Sequence, residues 1–219
     1  MGRTAIVIGA TGLIGGELVK QLLQESYFEK VKMFVRKKQS LNGLRIEQIE
    51  IDFNSINKHF SEIRGDVVFC CLGTTIKSAG SREAFVKVDY TYVLNFAEAA
   101  RSNEVAQFVL VSSLGVSEQG GNFYLTLKRD IENALKRLRF PSLVIVRPSM
   151  LLGNRKESRP AESVGKFLMK SLSFLFIGRL KKYKAIEASA VAKAMIALSK
   201  TGLEGVSCFE NDRLHDLAK

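Results

Sequence analysis

Short apolar runs alternate with longer amphipathic stretches over the first 150 residues of the chain. The short runs are mostly continuous Val, Ile, Leu and Phe, which is typical of strands that are covered on both faces of a sheet. Strands are predicted at Thr4–Ile8, Val31–Val35, Ile46–Ile51, Asp66–Cys71, Gln107–Val111 and Ser142–Arg147. Helices are predicted most clearly at Leu13–Glu25, Arg82–Arg101 and Asn122–Arg139. This alternation predicts an α/β fold with a doubly wound parallel sheet.

The pattern changes after Pro148. A polar segment is followed by an apolar helical stretch, a basic cluster, an alanine-rich helix and a short strand: 153–161, Val164–Ile177, Arg179–Lys184, Ser189–Lys200 and Val206–Phe209. No linker long enough to separate two domains is evident, so we expect one domain. Residues 1–150 would form its main part, and residues 151–219 would be a small extension that completes the domain on the substrate side.

A glycine-rich turn follows the first predicted strand. Gly9, Gly12 and Gly15 stand at the junction between this strand and the first predicted helix. In dinucleotide-binding folds, glycines at this junction allow the tight turn, the approach of a pyrophosphate and the close packing of helix on strand. The N-terminus of the helix then offers free N–H groups to phosphates. The alternative is a glycine-rich turn that binds nothing.

Three cations, Arg36, Lys37 and Lys38, follow the second predicted strand. Sites that prefer NAD usually have Asp or Glu here, which holds the 2′-hydroxyl of the adenine ribose. A guanidinium binds a 2′-phosphate with charge-assisted hydrogen bonds, and Lys37 would add a second positive charge. The sequence therefore favours NADP(H), with a solvated charge run at a strand end as the alternative.

The fifth predicted strand ends at Ser112 and Ser113, and Tyr124 and Lys128 follow in the next helix. Residues four apart share one face of a helix, so the phenol and the ammonium would point into the same cleft. A neighbouring ammonium favours the phenolate, which suits Tyr124 to transfer a proton while the cofactor transfers a hydride. Ser113 would bind the reacting oxygen, and Lys128 the ribose hydroxyls. Ordinary structural roles for these residues are the alternative.

Composition narrows the class of protein further. The 219 residues are 46% hydrophobic and 25% charged, as in an ordinary globular protein, and contain no run long enough for a membrane span. The formal net charge of +11 is concentrated in residues 128–184, but no nucleic-acid recognition motif accompanies it, so no nucleic-acid partner is expected. The three cysteines and two isolated histidines lack metal-site spacing, so no metal is expected. The odd cysteine count and an early first strand predict a cytoplasmic protein.

Several unusual stretches carry a resemblance to a known family. They are Phe69–Thr75, Val88–Leu94, Tyr124–Lys128, Arg147-Pro148, Arg155–Pro160 and Glu210–Ala218. With them the sequence resembles the short-chain dehydrogenase/reductase superfamily in its atypical NADP-binding branch. Within that branch it is most similar to the oxidoreductase-like Tat-interacting protein family.

The resemblance implies an NAD(P)-binding Rossmann fold with NADPH bound across the strand ends. The cofactor contacts it implies are Thr11, Gly12, Leu13, Ile14, Arg36, Lys37, Leu72, Gly73, Leu151 and Arg159, beside Gly9 from the turn. Tyr124 and Lys128 take the proton-transfer positions and also contact the cofactor. The expected function is an NADP(H)-dependent oxidoreductase that acts on a carbonyl or alcohol, as a monomer or homodimer. The alternative is an NADPH-binding sensor with little turnover, which acts through a protein partner.

Overall fold

A computed structural model describes residues 2–41, 43–153 and 182–219 of the chain. Its strands are β1 (Arg3–Ile8), β2 (Phe28–Val35), β3 (Ile46–Glu50), β4 (Val67–Cys70), β5 (Gln107–Val111), β6 (Ser142–Arg147), β7 (Leu151–Leu152), β8 (Ile186–Glu187) and β9 (Gly205–Glu210). Its α-helices are α1 (Leu13–Gln24), α2 (Ile76–Ala79), α3 (Arg82–Val86), α4 (Tyr92–Ser102), α5 (Phe123–Arg137), α6 (Ala188–Ser199) and α7 (Asn211–Leu217). A 3-10 helix spans Phe53–Glu62, and a π-helical turn, Lys87–Thr91, joins α3 to α4.

Seven of the described strands form one sheet in the order β3-β2-β1-β4-β5-β6-β9, and each neighbouring pair is parallel. This is the strand order of a Rossmann fold with one strand added at the edge. The predicted α/β class and doubly wound parallel sheet are therefore confirmed. The strand order reverses between β1 and β4, and ligands of such sheets bind outside the carboxyl ends of the strands at this switch point.

Apolar side chains of β1 alternate between two buried layers, one on each face of the sheet. Ala5 and Val7 belong to a layer that includes the apolar faces of α1 and α6. Ile6 and Ile8 belong to the opposite layer, which is covered by the 3-10 helix, α4 and α5. All four side chains are fully buried. The continuous apolar strands of the sequence thus reflect a sheet with helices on both faces.

The helix predicted at Arg82–Arg101 is not one regular helix. The π-helical turn interrupts it between α3 and α4, and Asp89 within this turn is buried. The 3-10 helix and the short α2 were not predicted, because neither has a sustained apolar repeat. The apolar stretch Val164–Ile177 and residues 179–181 of the basic cluster lie outside the described residues.

The chain after Pro148 joins the same sheet through β9, which pairs with β6. Three segments of this part meet at Asn211, which is completely buried. Its side chain accepts a hydrogen bond from the backbone N–H of Ser149 at 3.0 Å and donates one to the carbonyl of Lys184 at 2.7 Å. Asn211 therefore fixes the end of β6 relative to the strand β8. In the parts of the chain that the structure describes, no helix is long and apolar enough to cross a membrane.

Two adjacent helical glycines of α1 provide a test of how closely this helix packs on β1. A Cβ on Gly15 would lie 2.2 Å from the carbonyl oxygen of Gly9, whereas a Cβ on Gly16 would have its nearest neighbour at 3.7 Å. We expect Gly15→Ala to lower the free energy of unfolding by about 2 kcal/mol, because backbone must move. Gly16→Ala should raise it by about 0.5 kcal/mol through helix propensity.

Denaturant unfolding followed by circular dichroism measures both changes. Equal effects of the two substitutions would contradict the proposed close packing.

Candidate active site

The glycine-rich turn is pressed against the end of β4. Gly9 has a φ of +78°, and a Cβ there would lie 2.4 Å from the carbonyl carbon and oxygen of Cys71. The backbone N–H of Gly12 donates to the carbonyl of Gly9 at 3.0 Å and closes the turn. Only glycine fits at the first of these positions, because it tolerates both the positive φ and the contact.

The first turn of α1 has free donors and no negative charge. Gly12 is its N-cap and supplies no side-chain hydrogen bond, and the first turn has no acidic residue. The side chain of Ile14 is buried in the core, so only the backbone of this residue could serve a ligand. Thr11 and Gly12 are exposed. The residues present therefore fit a phosphate group, which such helix ends bind through N–H groups and the helix dipole.

A cleft of about 310 Å³ lies at the ends of β2 and β3, lined by Arg36, Glu50, Ile51 and Asp52. The side chains of Arg36 and Lys37 are exposed, and neither forms an ion pair with any described residue. Asp52 caps the 3-10 helix by accepting a hydrogen bond from the N–H of Asn54 at 2.9 Å. The guanidinium of Arg36 is thus available to an anionic group in this cleft.

The start of α1 also contacts the segment that follows β6. A Cβ on Gly153 would lie 2.8 Å from a methyl carbon of Leu13, so the backbone after β7 passes over the glycine-rich turn. Leu151, in β7, is half-buried, as is Leu72 after β4, whereas Gly73 is exposed. These residues of the predicted cofactor set lie on the three segments around the switch point. Arg159 lies outside the described residues.

Helix α5 carries Tyr124 and Lys128 on one face. The helix starts at Phe123 because Asn122 caps it, accepting a hydrogen bond from the N–H of Leu125 at 3.0 Å. The ammonium of Lys128 is 5.9 Å from the centre of the Tyr124 ring. Tyr124 is 36% exposed and Lys128 only 5%. The structure thus brings the phenol and the ammonium together, with the phenol open to a ligand.

The hydroxyl of Ser113 lies near the carboxyl end of β5, one residue beyond the buried Ser112. It donates a hydrogen bond to the carbonyl of Leu114 at 3.2 Å. In this arrangement its proton is directed at the backbone, and the hydroxyl would have to rotate to bind a substrate oxygen.

The partner of Lys128 was not identified from the sequence. Its Nζ lies 2.9 Å from Oδ1 of Asp89 in the π-helical turn, and both side chains are buried. Burial has the largest single effect and lowers the pKa of Lys128, but the attraction of Asp89 together with the contributions of Tyr124 and Cys70 outweighs it and raises this pKa above its ordinary value. Lys128 therefore stays positively charged throughout the physiological pH range.

A second buried carboxylate supports the strand ends from the same helix. Glu132 lies four residues after Lys128 and accepts hydrogen bonds from the hydroxyl of Ser112 at 2.5 Å and from Nε of Arg147 at 3.0 Å. Its other oxygen accepts from Nη2 of Arg147 at 2.5 Å. This network joins α5 to the ends of β5 and β6. The sequence contains one indication of this network. Tyr124, Lys128 and Glu132 follow one another at intervals of four residues and so share one face of the helix.

The adjacent cysteines at the end of β4 are packing residues in this arrangement. Cys70 is completely buried in one apolar layer, and burial raises the pKa of its thiol to about 12. Burial also raises the pKa of the Cys71 thiol. Neither thiol is the thiolate that redox chemistry at neutral pH requires.

Strand order, glycine-rich turn and helix face together define a dinucleotide-binding protein of the Rossmann class. The chain belongs to the NAD(P)H-binding family, whose model matches residues 9–198. The expected resemblance to the Tat-interacting protein family is confirmed by the relatives. Protein HTATIP2 of Rattus norvegicus is 35% identical over 174 residues, which cover 78% of this chain and 72% of the relative. The mitochondrial protein fmp52 of Emericella nidulans is 30% identical over 206 residues, covering 91% and 88%.

Two solved structures illustrate that the fold is shared with known proteins. MoeE5 in complex with UDP-glucose and NAD has a TM-score of 0.70 at 17% identity and covers 98% of this chain and 80% of its own. UDP-N-acetylglucosamine 4-epimerase from Methanobrevibacter ruminantium M1 has a TM-score of 0.71 at 17% identity, with the same coverage. At this level of identity the likeness concerns the fold alone.

The buried network at Glu132 predicts a large effect of a small substitution. Glu132→Gln should lower the free energy of unfolding by about 3 kcal/mol, because it leaves the guanidinium of Arg147 largely buried without a countercharge. The matched control is Glu118→Gln, since Glu118 is 4.0 Å from Lys136 with a side chain that is 77% exposed. The control should change stability by less than about 0.5 kcal/mol.

Urea unfolding of both variants at neutral pH measures the difference. A Glu132→Gln protein as stable as the control would contradict the role assigned to the network.

Proposed function

We propose that the protein is an NADP(H)-dependent oxidoreductase of the short-chain dehydrogenase/reductase type, which acts on a small carbonyl or alcohol. The observation that supports this most is the pairing on α5: a partly exposed phenol, Tyr124, lies next to a buried ammonium, Lys128, whose pKa is raised above its ordinary value. Both lie on the helix that follows β5, beside the loop after β4. Membership of the NAD(P)H-binding family supports the choice of cofactor class.

In this proposal the glycine-rich turn holds the pyrophosphate. The N–H groups of Leu13 and Ile14 at the start of α1 would bind the diphosphate, and the backbone of Gly9, Thr11 and Gly12 would border it. Other contacts come from Leu72, Gly73 and Leu151 around the same edge of the sheet. Arg159, which lies outside the described residues, is a further contact in this proposal.

The preference for NADP(H) over NAD(H) rests on the second strand end. Arg36 is exposed and unpaired among the described residues, and Lys37 adds a further charge, so together they suit a 2′-phosphate. The cleft beside Arg36 is large enough for part of an adenosine.

The chemistry follows from the arrangement on α5. When bound, the nicotinamide supplies or accepts the hydride at the substrate carbon. In the reduction direction, the hydroxyl of Tyr124 donates its proton to the carbonyl oxygen, and solvent returns the proton to the phenolate. In the oxidation direction, the phenolate accepts the proton of the alcohol. Lys128 stabilises the phenolate and donates to the ribose hydroxyls, and Ser113 donates to the substrate oxygen after its hydroxyl rotates.

A second candidate function is an NADPH-binding sensor with little turnover, which acts through a protein partner. Two observations favour it. The hydroxyl of Ser113 donates to the backbone of Leu114, and the carboxylate of Asp89 offsets the charge of Lys128 next to Tyr124. Both features reduce the readiness of the site for proton transfer without affecting the turn that would hold the cofactor.

We further propose that residues 151–219 complete a single domain built on the Rossmann part, residues 1–150. We also propose that its ligand is a small molecule and not nucleic acid. The protein would be a monomer or a homodimer. The cytoplasm is the compartment we propose, because Cys70, Cys71 and Cys208 are all free thiols. Fungal relatives, among them fmp52 of Emericella nidulans, carry "mitochondrial" in their names, so cell fractionation is the relevant experiment.

The cofactor preference is tested by Arg36→Ala. We expect this change to weaken NADPH binding by about 10-fold to 100-fold, because it removes charge-assisted hydrogen bonds worth about 1.5–3 kcal/mol. NADH binding should change by less than twofold. Lys38→Ala, which removes the same charge two residues away, is the control. The assignment is wrong if NADH binds as tightly as NADPH and Arg36→Ala changes neither.

The reaction is tested by Tyr124→Phe. Oxidation of NADPH in the presence of a broad panel of carbonyl compounds should fall at least about 100-fold, because the proton donor is lost. NADPH binding, measured by nicotinamide fluorescence, should stay within about threefold. Tyr90→Phe is the control, since Tyr90 lines a groove of about 430 Å³ that contains none of the predicted site residues. Tight NADPH binding by the unmodified protein without turnover of any compound would favour the sensor.

A further inference from the structure

Two helical segments face each other at the site with matched four-residue spacing. Phe85 and Asp89 lie on α3 and the π-helical turn, and Tyr124 and Lys128 lie on α5. The ring of Phe85 is 6.0 Å from the ring of Tyr124, and the carboxylate of Asp89 is 2.9 Å from the ammonium of Lys128. Each residue of the proposed proton-transfer pair therefore has its own buried partner on the opposite segment.

The carboxylate of Asp89 lies within the π-helical turn. A π-helical turn holds one residue more than an α-helical turn, and such turns occur frequently at functional sites. Asp89 is the acidic residue of the turn, and it is 1% exposed. In the adjoining helix α4, by contrast, the carboxylate residue Glu98 is exposed.

The second oxygen of Asp89 binds the loop that follows β4. Oδ2 accepts a hydrogen bond from the backbone N–H of Thr74 at 2.8 Å, and a Cβ on Gly73 would lie 3.6 Å from Oδ1. The same loop starts at Cys71, whose backbone is pressed against Gly9 of the glycine-rich turn. One carboxylate thus connects the ammonium on α5 to the loop that borders the glycine-rich turn.

The pair has the properties of a positioning device. A buried ion pair contributes little net stability, because the desolvation of both charges offsets their attraction, and apolar residues of similar size would pack equally well. An ammonium has three donors. The carboxylate of Asp89 faces Nζ from one side at 2.9 Å, so donors on the other side stay available to a ligand. The carboxylate also restricts the direction of these donors, since it removes the rotational freedom of a long side chain.

We propose that Asp89 is a positioning residue for the nicotinamide end of the cofactor. Its carboxylate holds the ammonium of Lys128 beside Tyr124 and couples it to the loop after β4, so that the remaining donors of Lys128 are aimed at the ribose hydroxyls before the cofactor arrives. This inference rests on the proposed function, because it requires NADP(H) to bind across the strand ends.

The titratable groups around Lys128 define what a substitution would do. They are Asp89 from the π-helical turn, Tyr124 from α5 itself and Cys70 from the end of β4. Asp89 is the only carboxylate among these groups. Its charge raises the pKa of Lys128, whereas burial lowers it. Without this carboxylate, burial would lower the pKa of Lys128 below its ordinary value, by up to several units for a fully buried lysine.

The test is the pH dependence of NADPH binding to Asp89→Asn, with fluorescence of the reduced nicotinamide as the signal. In the unmodified protein Lys128 stays charged, so the affinity should be constant from about pH 7 to about pH 9.5, above the titration of the 2′-phosphate near pH 6. In Asp89→Asn the affinity should fall by about 10-fold over this range as Lys128 loses its proton. A purely structural role for Asp89 would change stability without this pH dependence.

Four further variants complete the experiment. Lys128→Met should bind NADPH weakly and independently of pH, and Asp89→Asn with Lys128→Met should match it. Asp130→Asn removes a carboxylate whose side chain is 47% exposed and should bind as the unmodified protein does. Asp89→Glu keeps the charge but displaces it, and should weaken binding several-fold without introducing pH dependence. Asp89→Glu also replaces Asp89→Asn in the binding test if the latter does not fold.

The outcomes separate the two proposals. If the unmodified protein does not bind NADPH, the proposed function fails. If it binds NADPH and the affinity of Asp89→Asn is unchanged and independent of pH, the inference about Asp89 is overturned while the proposed function stands. Unchanged affinity in Asp89→Glu would also overturn the positioning role.

Discussion

The close contact of Gly9 with the backbone of Cys71 is the constraint on which the site depends. It brings the turn after β1 against the end of β4, where the strand order of the sheet reverses, and a Cβ would leave only 2.4 Å between them. Gly15 in α1 is subject to a similar constraint. Because it has no side chain, α1 can approach the carbonyl of Gly9. The start of α1 and the loop after β4 thereby become two walls of one cleft. Leu72 and Gly73 of the predicted cofactor set lie on the second of these walls.

Helix α5 forms the third wall through a row of residues spaced four apart, and each member has a partner on a different element. Tyr124 packs on Phe85, Lys128 pairs with Asp89, and Glu132 binds the ends of β5 and β6 through Ser112 and Arg147. The row passes from partly exposed to fully buried along the helix, since Tyr124 is 36% exposed and Glu132 only 1%. The chemistry is thus at the open end of the row, and the buried end fixes the rotation of the helix relative to the sheet.

The sequence was sufficient for those features that depend on local pattern. Continuous apolar runs identified the strands of the main sheet through β6, and the four-residue spacing of Tyr124 and Lys128 was visible without a structure. The buried ion pairs were not predictable, because Asp89 and Lys128 are far apart in sequence and meet only where the two helical segments face each other. The π-helical turn was missed because a single wider turn is too short to be recognised in the apolar pattern of a long helical window. The assignment of single residues to a cofactor stays a prediction.

Part of the positive charge of the chain is paired with buried carboxylates. The formal charge of +11 is concentrated in residues 128–184, and two cations of that segment, Lys128 and Arg147, are bound to the buried carboxylates Asp89 and Glu132. A paired ammonium contributes directed hydrogen bonds but little net field, because the neighbouring carboxylate cancels most of its charge at the distance of a phosphate. In the proposed complex, attraction of the phosphates therefore has to come from Arg36, Lys37 and the N-terminus of α1. In this proposal, the cations at the end of β2 provide affinity for the anionic part of the cofactor. The ion pair of Asp89 and Lys128 orients the nicotinamide end.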